Sequence, residues 1–130
     1  GDVSLNQVLT EGAPVEAAMV NPGIPRLVVL PTQNPVANSA EVLGSSRVAT
    51  LMDELRGRYP DRVVVVDLPP VLAADDVLAL LPRLDCVLMI VGNGVSTRKE
   101  IEESMSRLSK FNLLGIVLNK DDVPSKNAYY

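Results

Sequence analysis

The sequence predicts an α/β fold of three layers (helix, sheet, helix) around a mainly parallel sheet of about four strands, and three observations predict it. Four apolar runs, Leu27 to Leu30, Val63 to Val66, Val87 to Val91 and Leu114 to Leu118, recur at spacings that leave room for a helix between each. Strands that alternate with helical segments imply parallel βαβ units with right-handed crossovers. The second run is four consecutive valines; β-branched residues favour extended backbone, and a run with no alternating polar face predicts a strand buried on both sides. Between the runs, the apolar residues fall at helical rather than strand spacing.

Each element can be placed in order. Ser4 predicts a cap for a short helix through Leu5 to Leu9, and Pro14 opens another around Val15 to Met19. The stretch from Pro31 to Asn38, rich in proline and asparagine, is an irregular loop at a strand end. Val48, Leu51, Met52 and Leu55 follow the i, i+3, i+4, i+7 pattern of a one-sided helix, with Gly44-Ser45-Ser46 inside the helical pattern. Asp75 and Asp76 precede Val77, Leu78, Leu80 and Leu81, so a short helix starts at the acids and is cut off near Pro82. Gly92-Asn93-Gly94 is a turn. Thr97-Arg98-Lys99-Glu100 is a capping box that introduces a helix with Ile101, Met105 and Leu108 on one face.

With 130 residues and 47% hydrophobic content, the chain suits one compact domain, 1–130. A formal charge of −4, from 12 basic and 16 acidic residues scattered along the chain, gives no basic stripe, so no nucleic-acid partner is expected. No apolar run approaches the roughly 20 residues that cross a bilayer, so no direct membrane insertion by this segment is expected. The single cysteine, Cys86, lies in an apolar run and is expected to be buried, which excludes a disulfide framework. The absence of histidine removes Ser-His-Asp and Cys-His catalysis and the commonest zinc sites. An amino end at Gly1 rather than methionine points to a processed form or a fragment of something longer.

Asp67 is the leading candidate for chemistry. It ends the valine run and is followed by Leu68 and two prolines. At the carboxyl end of a parallel strand, where ligands bind in open α/β sheets, a carboxylate can hold the magnesium of a nucleotide directly or through water, as a Walker B acid does. It can equally be an acid that caps the Pro-Pro turn. Asn119-Lys120-Asp121-Asp122 follows the last strand and fits N-K-x-D, a pattern that reads a nucleotide base edge, although these are also ordinary loop residues. Asp75 and Asp76 are helix-start acids before they are a second metal site. The chain has no G-x-x-x-x-G-K-[ST] loop to cradle phosphates, and Gly44-Ser45-Ser46 lacks the lysine to replace one. Tight nucleotide binding by this segment alone is therefore not expected.

Taken in order, these motifs resemble the bacterial tyrosine autokinases of capsule and exopolysaccharide synthesis, relatives of the septum-site and plasmid-partition P-loop ATPases. Asp67-Leu68-Pro69-Pro70-Val71-Leu72 is similar to the family's D-T-P-P-V-L, and Asp75 and Asp76 stand where it has a further acid. Val3 to Gly12, Leu30-Pro31, Asn38 to Ser46, Val87 to Val91, the Thr97 helix start and Gly115 to Asn119 follow in family order. Leu68 stands for the family's threonine, and Gly92 stands where many members have arginine. The resemblance implies a partial P-loop NTPase, Rossmann-like fold: the carboxyl-terminal part of the ATPase domain, with the Walker A region upstream. It implies ATP and Mg²⁺ as cofactors once that region is present, Asp67 as the metal-holding acid and Asn119 at the base. Tyr129 and Tyr130 resemble the start of a tyrosine-rich tail that accepts phosphate. The implied setting is the cytoplasmic side of the cell membrane, beside a membrane polysaccharide co-polymerase or transmembrane activator, with homo-oligomers possible. Alternatives are a degenerate, non-catalytic partner module and another ATPase of the same superfamily.

Overall fold

The computed structural model describes residues 3–32, 39–73 and 75–121. They fall into two units that divide after Leu68.

The first unit holds four helices: α1 (Leu5–Glu11), α2 (Val15–Ala18), α3 (Ser39–Leu43) and α4 (Ser46–Arg58). α1 starts as predicted at Ser4, whose backbone N–H donates to Gln7 Oε1 at 3.0 Å. It ends at Gly12, held at φ 76° in the left-handed region that glycine enters without a Cβ penalty. Pro14, in extended conformation, leads into α2. α4 carries the predicted stripe on its buried side at Val48, Leu51 and Leu55. Leu51 and Leu55 close over Val15 of α2, and Leu5, Val8, Leu9, Met19, Leu30 and Tyr59 pack around them. Polar contacts finish this core at its rim, where Arg58 pairs with Glu16 of α2 and, at 3.0 Å, with Glu54. Gly44-Ser45 is a break between helices and Ser46 is the first residue of α4: Ser45 is the extended residue before it, and its hydroxyl accepts the Val48 N–H.

The second unit holds α5 (Asp76–Leu80), a 3₁₀ turn (Leu81–Arg83), β1 (Val87–Gly92), α6 (Arg98–Leu108) and β2 (Leu113–Asn119). Pro82 does not stop the chain abruptly. It sits at the start of the 3₁₀ turn, where its missing N–H costs nothing. β1 and β2 pair in parallel, from Val87 opposite Leu113 to Gly92 opposite Asn119, with one irregularity at Val87/Leu88. This is the predicted βαβ connection. Met89 and Val91 of β1 are buried, together with Val77, Leu80, Leu81 and Leu108. On α6 the inward residues are Ser104 and Leu108, whereas Met105, predicted on the inner face, is exposed.

Two of the four predicted strands do not form, so the sheet has two strands, not about four. Leu27 to Leu30 is reduced to one antiparallel bridge between Val20 and Val29. Val63 to Val66 is the larger departure: Val63 is 91% and Val65 87% exposed, and no backbone hydrogen bond joins this run to another described residue. β-branched side chains favour extended backbone, but a strand also needs partners for its N–H and C=O groups, and among the described residues this run has no ladder partner. Cys86 is also exposed rather than buried, because it precedes the first paired residue of β1. Among the described residues no helix is long and apolar enough to cross a membrane.

Candidate functional site

The carboxyl end of the β1–β2 pair is built from two short loops. Leaving β1, the chain turns at once: Val95 and Ser96 both donate backbone N–H groups to Gly92 O, at 3.1 and 3.0 Å. Ser96 Oγ accepts the Gly92 N–H at 3.1 Å. Gly94 supplies a φ of 70°. A Cβ at Gly92 would lie 3.2 Å from Val95 Cβ, so this tight turn is a local reason for glycine at a position where the family resemblance expects arginine. The Asn93 N–H then donates to Asn119 O at 2.8 Å, which ties the turn to the end of β2.

Asn119 does two things at that end. Its backbone carbonyl takes the Asn93 N–H, and its side-chain Oδ1 accepts the Lys120 N–H at 2.9 Å. Lys120 sits at φ 60°, a left-handed conformation uncommon for a residue with a side chain. The bond from Lys120 sets the amide orientation of Asn119 and leaves the carboxamide NH₂ as the group free to donate. Asp121 follows at the surface, and Asp122, the last residue of N-K-x-D, lies outside the described residues.

The N-terminus of α6, next to this turn, is already filled by a carboxylate. Glu100 Oε2 accepts both the Thr97 N–H and the Thr97 hydroxyl at 2.8 Å, and Thr97 Oγ1 accepts the Glu100 N–H at 3.3 Å. The backbone bond from Thr97, followed by its hydroxyl bond, holds the Glu100 carboxyl below the usual glutamate range. A second anion at this helix end would meet that charge, which disfavours a phosphate there.

Asp67 belongs to the first unit and is exposed, directly after the unpaired valines. Asp75, in the second unit, is engaged differently from its sequence expectation. It precedes α5 in helical backbone and makes no side-chain cap. Its Oδ1 instead accepts from Arg107 Nη1 at 2.9 Å. Among the described residues no group of three or more Asp, Glu, Cys or His side chains could hold a metal ion. A lone exposed carboxylate such as Asp67 still fits Mg²⁺, which takes one or two carboxylates together with substrate phosphates and water. Tyr129 and Tyr130 lie outside the described residues.

Ser96 and Arg107 were not singled out in the sequence, and Lys120 entered only as the second residue of N-K-x-D. Ser96 had a signal, a hydroxyl one residue before the capping box. The backbone of Lys120 and the partner of Arg107 had none.

No protein-family model matches the chain. EpsB of Ralstonia nicotianae, which carries a tyrosine-protein kinase name, is 38% identical over 87 residues, 65% of this chain and 11% of that protein. Tyrosine-protein kinase wzc of Salmonella typhi is 27% identical over 117 residues, 88% of this chain and 16% of that protein. The chain therefore spans a small part of the length of these relatives. Among solved structures, the VpsO kinase domain superposes with a TM-score of 0.79 at 24% identity, covering 92% of this chain and 59% of that one, and so shares its fold. By sequence and by fold, this chain is a relative of the bacterial tyrosine-protein kinases and corresponds to one part of their length.

Proposed function

We propose that this chain is the carboxyl-terminal part of an ATP-dependent tyrosine autokinase domain that regulates exopolysaccharide or capsule synthesis from the inner face of the cell membrane. The observation that carries it is the match to wzc across 88% of the chain. In this function Asp67 holds the Mg²⁺ of ATP, and Asn119 offers its free NH₂ to an acceptor on the base. Tyr129 and Tyr130 take the phosphoryl group, and a membrane co-polymerase or transmembrane activator is the partner. Mg²⁺, when bound, neutralises charge on the transferring phosphoryl group. The protein's own share is positioning: Asp67 fixes the metal, and Asn119 offers the base a side chain already oriented by Lys120.

No G-x-x-x-x-G-K-[ST] loop occurs in these 130 residues, so the purified chain alone is expected to hydrolyse no ATP; measurable turnover would contradict the assignment. In a protein that carries this segment behind such a loop, Asp67→Asn is expected to lower ATP-dependent tyrosine phosphorylation by about tenfold or more. An unchanged rate would remove Asp67 from the metal site. Leu68 and Gly92 favour a second function, a non-catalytic module that keeps the fold and binds the membrane partner. The same assay separates the two, because that module would show no phosphorylation even behind a phosphate-binding loop.

A further inference from the structure

Among the described residues from Pro69 to Ala73 the backbone bond is Ala73 N–H to Pro70 O, at 2.9 Å, and Leu78 N–H to Asp75 O, at 3.1 Å, begins α5. At this point a side chain from far along the sequence takes hold. Arg107, in the last turn of α6, donates through Nη1 to Asp75 Oδ1 at 2.9 Å and through Nη2 to Glu103 Oε1 at 3.3 Å. Arg107 is 31% exposed and Asp75 89%. The guanidinium is thus held on α6 by its own helix, while the acid is free to leave.

We propose that Arg107 is a positioning residue: a one-sided latch that fixes Asp75 and, through it, the start of α5. Arg107 is set in place twice over. Glu103 lies one helical turn before it, and α6 itself is anchored at its other end by the Thr97–Glu100 box. Asp75 has no competing role, because it caps no N–H of α5.

Hydrogen exchange on this 130-residue chain without nucleotide tests it, read at the amides of Ala73 and Leu78, with the Met89 amide in β1 as the reference. Exposed ion pairs are worth little, so Arg107→Gln and Asp75→Asn are each expected to speed exchange at Ala73 and Leu78 about two- to fivefold. The double variant should go no further, since either change opens the same latch. Salt at about 1 M should do the same to the wild type and add nothing to the variants. The proposal is overturned if Asp75→Asn leaves these amides unchanged, if the two single effects add, or if Met89 loosens by the same factor. Because no nucleotide is present, the latch and the nucleotide-binding role stand or fall separately.

Discussion

At Thr97 a hydroxyl and a backbone N–H share the Glu100 carboxylate, and the consequence for pH follows from the sign of the shift. The Glu100 carboxyl is held below the ordinary glutamate value in the fold. Its contribution is therefore complete above that ordinary value and is lost as pH falls through the lowered one. Protection of the α6 N-terminal amides, followed by NMR during acidification, should hold through neutral and weakly acidic pH and fall only below the ordinary carboxylate range. Thr97→Ala should cost about 1 kcal/mol at neutral pH, measured by urea unfolding. This cap was legible because its partners lie three positions apart. The Asp75–Arg107 pair spans 32 positions, and nothing in the local sequence of either residue names the other. Asn119 was legible as the end of a strand, but the use of its Oδ1 by Lys120 depends on a backbone conformation that side-chain identity does not announce.

Among the elements, helices were easier to foresee than strands, because a helix satisfies its own backbone. The stripe of α4 needed only its spacing, and Val48, Leu51 and Leu55 are buried as that spacing required. Met105 shows the limit: it shares a helical face with Ile101 and Leu108 on paper, yet Ser104 takes the buried position beside Leu108. The inner face is a few tens of degrees away from the most apolar arc, toward the side where a small residue permits close approach. Leu80→Ala should destabilise the second unit by about 2–5 kcal/mol, since Leu80 is among the most completely buried side chains. Met105→Glu should change stability by no more than about 0.5 kcal/mol. Thermal unfolding of the two variants would distinguish these sites. For strands, residue type indicates extended backbone but not a partner. β1 and β2 find each other across α6, whereas the equally β-prone Val63–Val66 pairs with no described residue.

At the scale of the whole molecule, the chain matches 59% of the VpsO kinase domain while 92% of its own length is covered. Val63 and Val65 turned to water should promote self-association, so Val63→Lys with Val65→Lys is expected to lower the average mass seen in analytical ultracentrifugation. The same run has one more consequence. Uncharged valine tetrads on extended backbone are the raw material of cross-β aggregation, and charged residues at their borders act as gatekeepers. Here Arg62 guards one border and Asp67 the other. Asp67 therefore has work to do before any metal arrives, and Asp67→Asn removes one of the two guards: a drop in kinase activity should be read only on the fraction of the variant that stays in solution.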